Sequence, residues 1–358
     1  MPTTALVFLL LVAAGCGGGG VVGGSGGSSG GGSGGRAGGT GGSGDAGRPD
    51  GNRDVGAQET SADAPGDEKA ADAGGRDTYV VERGPDATGI LIHVANGCSF
   101  DLFIRGEGSG VVLQPDGLRL PTGEAHDYLA PDVWAAARVT AYLGVPPQDQ
   151  IDKVEMTLEK KIDTGTLQKV LNYNITYVDW LGLPIEIVGI GTGGDCKRVG
   201  CYVPEAQVLT GCPDGLLSGK RCLSAGTFCS DPGKRATPFC HALDTTTATC
   251  AQDAQKYPGC AGAAGVTTPN VYSCAGGFFS QQPKWCAALN RGVIDDPENG
   301  DIAAYYQKAP YNTYSKWVHA TCPGIYAFPY DDYGKTNESG FHSCVGGTQL
   351  NITFCPSG

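Results

Sequence analysis

The chain has 358 residues, 59 glycines and a net charge of −12, and its front is too glycine-rich to build a core. Eleven of its 37 acids fall between Asp45 and Asp86; beyond residue 88 the balance is 26 acids against 19 bases. Mild acidity without a concentrated basic face argues against a nucleic-acid partner and fits a groove that handles a neutral polymer.

In chain order, Ala5–Ala14 is an apolar run too short to span a bilayer, as expected for the core of a signal peptide. It runs into Ala13-Ala14-Gly15-Cys16, small residues before a cysteine, which resembles the bacterial lipobox. Residues 1–16 therefore read as a lipoprotein signal, with Cys16 as the lipidation point. This predicts an exported bacterial lipoprotein on the outer membrane or cell surface, touching membrane only through its anchor. The alternative is an ordinary secretory signal and a secreted protein. Residues 17–88, Gly/Ser-rich and then Asp/Ala/Gly-rich, cannot bury enough apolar surface to fold and predict a disordered tether.

Ordered structure is predicted from residue 89. Ile90–Val94, Phe100–Ile104, Val111–Leu113, Arg138–Leu143, Val154–Leu158, Val170–Val178, Ile185–Ile190 and Leu350–Phe354 read as short strands. They are rich in β-branched and aromatic residues and broken by Gly/Pro turns, which predicts an all-β sandwich. From about 202 to 312 the pattern turns to small residues with frequent cysteines, a disulfide-rich region of loops and short helices. Asp301–Lys308 is the one short helix predicted there. Fourteen cysteines lie between Cys98 and Cys355, an even set that reads as a disulfide framework in an oxidising compartment. Zinc is the competing reading. The five histidines show no ligand spacing and no pair of CxxC motifs is present, so neither metal nor cofactor is expected.

Several separated stretches resemble the thaumatin-like superfamily, which includes the family 64 β-1,3-glucanases. Val94–Phe100 (VANGCSF) is similar to its opening strand, Leu120–Glu124 to the next turn, and Ala135–Thr140 to its W-A-R-T strand. Tyr173–Pro184 (YNITYVDWLGLP), Cys196 to Cys201, Tyr314-Ser315 before Cys322-Pro323, Ala327–Asp332 (AFPYDD) and Leu350–Pro356 (LNITFCP) follow in family order. The resemblance covers 89–358 and implies a thaumatin-like β-sandwich with bridges Cys98–Cys355, Cys196–Cys344 and Cys201–Cys322. The eight cysteines from Cys212 to Cys286 are left to pair among themselves, in an order the sequence does not give.

The resemblance also implies an acidic cleft of one arginine, one glutamate and three aspartates. Carried over, these fall on Arg138, Glu155, Asn174 (a departure), Asp179 and Asp331. Glycoside hydrolysis needs a protonated carboxyl for the leaving oxygen and, with inversion, a second carboxylate to activate water. Glu155 is then the acid and Asp179 or Asp331 the base, with Arg138, Asn174 and Asp332 binding substrate. Tyr330 and Tyr333 flank Asp331 and Asp332 and would stack on sugar rings, while Trp317 and Phe328 read as core. Without the resemblance, Arg138 and Glu155 would read as a surface ion pair of little worth. The implied function is a surface-tethered, monomeric β-1,3-glucan-active protein, an inverting endo-hydrolase. If the family's base aligns at Asn174, the chain instead binds carbohydrate without cutting it.

Overall fold

The structure, a computed structural model, describes residues 89–163, 165–213, 215–240, 270, 272–275, 282–308, 311–334 and 340–356. The signal segment, Cys16 and the tether lie outside the described residues, as do Cys250 and Cys260. In chain order the strands are β1 (Ile90–Asn96), β2 (Leu102–Gly108), β3 (Val111–Val112), β4 (Leu118–Leu120), β5 (Ala125–Ala130), β6 (Trp134–Tyr142), β7 (Gln150–Asp163) and β8 (Thr166–Ile175). There follow β9 (Trp180–Leu181), β10 (Ile185–Ile190), β11 (Gly193–Gly194), β12 (Arg198–Gly200), β13 (Leu217–Ser218), β14 (Arg221–Leu223), β15 (His342–Val345) and β16 (Gln349–Phe354). The helices with described ends are α1 (Ala225–Ser230), α2 (Pro283–Arg291) and α3 (Thr313–Thr321).

One sheet has the order β12-β10-β16-β1-β5; the other runs β11-β15-β8-β7-β6-β2-β3, with β4 also on β2. Alternation along the strands explains the sandwich. Ile90, Ile92 and Val94 of the first sheet join Leu102, Ile104, Val139, Val154, Met156 and Tyr173 of the second in one buried core. The other face of the second sheet carries Arg105, Glu107, Arg138, Lys153, Glu155 and Asn174. The terminal strands β1 and β16 pair in parallel, and Cys98–Cys355 ties their ends.

A β-bulge sets the phase of β6. Its register on β7 shifts between Trp134 and Ala137, with Ala136 at φ 47°. Both Trp134 and Ala137 point inward, so Arg138 is thrown to the open face.

Cys196–Cys344 ties the segment between β11 and β12 to β15, Cys201–Cys322 ties the end of β12 to the end of α3, and Cys212–Cys222, Cys229–Cys240 and Cys274–Cys286 staple the small-residue region. The helix predicted over Asp301–Lys308 is instead a single 3-10 turn, Ile302–Ala304, capped by Asp301. Tyr305, in extended conformation at ψ 143°, ends it, and Tyr306 at φ 59° lies in the left-handed region beyond. Two helices outside that prediction, α2 and α3, carry much of the packing there.

Candidate active site

Register neighbours on the open face form a row across four strands. Glu107 on β2 lies opposite Arg138 on β6, Arg138 opposite Glu155 on β7, and Glu155 opposite Asn174 on β8. One step along, Arg105, Thr140 and Lys153 form a second row. Arg138, Glu155 and Asn174 are thus brought together by strand pairing. The arginine does not bond the glutamate: its Nη2 lies 2.6 Å from Glu107 Oε1, and Arg105 Nε lies 3.0 Å from the other Glu107 oxygen.

Asp179 joins this face through Lys153. Lys153 Nζ is 2.8 Å from Asp179 Oδ2 and 3.6 Å from Glu155 Oε1. Those two carboxylate oxygens therefore lie within 6.4 Å of each other, the sum of the two distances. Burial works against the Lys153 ammonium, but Asp179 first and Glu155 second outweigh it and hold its pKa above the usual lysine value.

The neighbouring residue on β7 holds the same loop from behind. Asp152, 1% exposed, accepts from Gly182 N at 2.8 Å and Leu183 N at 3.0 Å through Oδ2. Burial pushes its carboxyl up to about 8, against the pull of these N–H donors and of Lys153 N. Gly182 allows the close approach, since a Cβ there would meet Ile151 O at 2.7 Å. Trp180 Nε1 donates to Ile151 O, Ser224 N donates to Asp179 O, and Arg221 lies over the Trp180 ring. Asp179, in the bend just before β9, is thereby pinned on both sides.

Asp331 is not part of this face, which corrects its assignment as a base. It is fully buried, with Oδ2 accepting from Ala327 N at 2.9 Å and lying 2.8 Å from His319 Nε2. Arg291 also binds it, through both carboxylate and backbone oxygen. The carboxyl points into the packing between α2, α3 and the loop because it satisfies buried donors there. Tyr330 and Tyr333 lose the reason that placed them in a groove. Both are half-buried with part of their rings against the core, and Tyr333 O accepts from Arg291 Nη1. Asp332, one residue on, is exposed and hydrogen-bonded to Tyr326; burial first, then this carboxylate, raises Tyr326 above the usual phenol range. Tyr326 bridges to Thr176 just past β8.

Sequence reasoning missed Lys153, Glu107 and Arg105. Period-two alternation in Lys153-Val154-Glu155 already places the lysine and glutamate on one face. Counted together, Arg105, Arg138 and Lys153 pair with Glu107, Glu155, Asp179 and Asp116, so the charges of this group nearly balance. Among the described residues, Cys98, Glu205 and Cys355 converge as if for a metal. The two sulfurs are joined in a disulfide and Glu205 accepts from Ser99 N and Oγ, so the group offers no ligand set.

Residues 244–353 match the family model described as Beta-1,3-glucanase, of glycoside hydrolase family 64. That match lies C-terminal to Glu155 and Asp179. The chain is 24% identical over 184 residues to thaumatin-like protein 1 of Pyrus pyrifolia and 23% to a glucan endo-1,3-beta-glucosidase of Prunus avium. It spans 49% of the length of each of these relatives. Among solved structures, a family 64 laminaripentaose-producing β-1,3-glucanase from Paenibacillus barengoltzii superposes with a TM-score of 0.52 at 20% identity, covering 75% of this chain and 76% of that one. A β-1,3-glucanase domain from Clostridium beijerinckii gives 0.54 at 14% identity, covering 74% and 97%. The likeness shows the fold: the all-β, disulfide-rich sandwich resembling the thaumatin-like proteins.

Proposed function

From that shared fold, we propose that the domain binds β-1,3-glucan along the open face of its larger sheet and hydrolyses it with inversion. Glu155 acts as the general acid and Asp179 as the base. The observation that carries this is the convergence of Glu155 and Asp179 on one ammonium, on a rigid face beside Arg138 and Asn174. Strand β7 carries Glu155, and backbone bonds on either side hold the bend that carries Asp179 beside it, the proximity that acid–base catalysis requires. The family match in the C-terminal third and the glucanase neighbours support the substrate class. Asn174 cannot take a proton from water; Asp179 does so in its place. The Gly/Ser and acidic segment tethers the domain to a membrane through Cys16, as a monomer reaching wall polymer.

The second reading, a carbohydrate-binding module that does not cut, is favoured by Asn174 and by the cationic partner that Glu107, Glu155 and Asp179 each have. Incubating the protein with laminarin and measuring reducing ends separates the two. Release that falls by about a hundredfold or more in Glu155→Gln fits the acid role. Release unchanged in that variant refutes the assignment. No release by the wild type, with retention on insoluble glucan, supports the binding module.

A further inference from the structure

Resting on the hydrolytic reading above, we propose that Lys153 is a positioning residue that divides the acid and base roles between Glu155 and Asp179. Its two contacts are unequal. Toward Asp179 it makes a hydrogen bond of 2.8 Å; toward Glu155 it makes an ion pair at 3.6 Å without hydrogen-bond geometry. Its side chain is only 15% exposed and springs from the residue next to Asp152, which anchors the Gly182–Leu183 turn from behind. The ammonium therefore has little freedom to leave Asp179.

The inequality has a chemical consequence. Protonating Asp179 would break a charge-assisted hydrogen bond, whereas protonating Glu155 breaks none. The facing oxygens, within 6.4 Å, are closer than the roughly 6.5–9.5 Å that an inverting pair of carboxyls leaves for sugar and water. Lys153 fills that gap, so an entering sugar parts the longer contact first. Glu155 swings free, protonated, to the glycosidic oxygen, and Asp179 stays an anion. Water's oxygen then bonds to the anomeric carbon while its proton passes to Asp179. The anomeric carbon–oxygen bond breaks with its electron pair on the leaving oxygen, which takes the Glu155 proton. No further reactant is needed.

The other charged and titratable groups facing this trio are known. Arg138 on β6 is committed to Glu107, and Arg105 on β2 to Glu107 and Asp116. Asp152 lies behind β7, Arg221 of β14 sits over Trp180, and Tyr314 of α3, near Asp179, donates to Tyr177 O. Among the described residues, no cation other than Lys153 lies within ion-pair distance of Asp179.

The test compares Lys153→Met with Lys153→Arg in the full chain. On laminarin, Lys153→Met should lower kcat at least about tenfold with KM within about threefold, and change the kcat–pH profile. Lys153→Arg should keep most of the rate and the wild-type profile. A Met variant with wild-type kcat and profile, or an Arg variant that falls as far as the Met variant, overturns the proposal. Crystal structures of both variants read the arrangement without turnover. Asp179 should swing away from Glu155 in Lys153→Met and hold its place in Lys153→Arg; an unmoved Asp179 in the Met variant overturns the positioning role. A wild type inert on laminarin would sink the hydrolytic reading by itself, and the structures would still decide what Lys153 does.

Discussion

On the open face of the larger sheet, Arg138, Glu155 and Asp179 have side chains 50%, 36% and 43% exposed, and charges pair sideways across strands. Between α2, α3 and the 327–333 loop, Arg291, His319 and Asp331 are 3%, 7% and 0% exposed and pair with one another and with backbone. Each set has an arginine and an aspartate, and the surroundings differ. A half-exposed pair is worth little and its partners can be exchanged, which proton transfer needs. A buried set is locked, because freeing one member leaves the others desolvated and uncompensated. The wet cluster is the one the proposed chemistry uses, and the dry one joins two helices to a loop. Tyr306 extends the dry cluster, with its hydroxyl 2.8 Å from His319 Nδ1.

The largest effect that would break this contrast is in the dry cluster. Asp331→Ala leaves the buried Arg291 charge without its carboxylate and strands the Ala327 N–H, and should destabilise the domain by about 3–5 kcal/mol in urea unfolding. Activity per folded molecule on laminarin should stay near wild type. A variant that keeps its unfolding midpoint but loses turnover would return Asp331 to the chemistry and erase the distinction.

Why Asp331 read as catalytic bears on what a sequence can carry. Arg138, Glu155 and Asn174, which the resemblance named, stand on strands, where alternation fixes the face and pairing fixes the neighbours, so their company follows from strand pairing. The paired acids Asp331-Asp332 stand in a loop, where no period says which carboxyl turns inward. The bulge at Ala136 was likewise invisible, although it decides that Arg138 faces out. Strands such as β5 and β15 were missed: Ala125–Ala130 and His342–Val345 hold few β-branched residues and are strands because their neighbours pair with them. Cysteine parity pointed to a disulfide framework, but the local pairings Cys212–Cys222 and Cys229–Cys240 needed coordinates.

A middle-sized effect sharpens the comparison at the place where the two faces of β7 meet. Asp152 points inward as Lys153 points outward, and burial sets its folded pKa at about 8, above the roughly 3.9 of an unfolded aspartate. The folded protein thus holds this proton more tightly. Its contribution to stability is complete below about pH 4 and is lost as pH rises toward 8. Asp152→Asn keeps an acceptor for Gly182 and Leu183 and cannot ionise. Urea midpoints at pH 5, 7 and 9 should show the variant gaining on the wild type with each step upward. A gap that stays constant across the three would mean that Asp152 is already ionised in the fold.

The smallest effect belongs to the pair that defines the open face as wet. Arg138 and Glu107 approach to 2.6 Å with side chains 50% and 27% exposed. Water screens such a pair, and ordering two long side chains offsets much of its attraction, so a double-mutant cycle of Arg138→Met and Glu107→Gln should give a coupling below about 1 kcal/mol. The coupling should shrink further between 0.05 and 1 M salt, where the screening length drops to about 3 Å. On the proposed function, where Arg138 binds the sugar beside Glu155, loss of the pair should register in glucan affinity rather than in folding. A coupling above about 2 kcal/mol that resists salt would put Arg138 in the same class as Arg291, and the face could no longer be treated as an exchangeable charge surface.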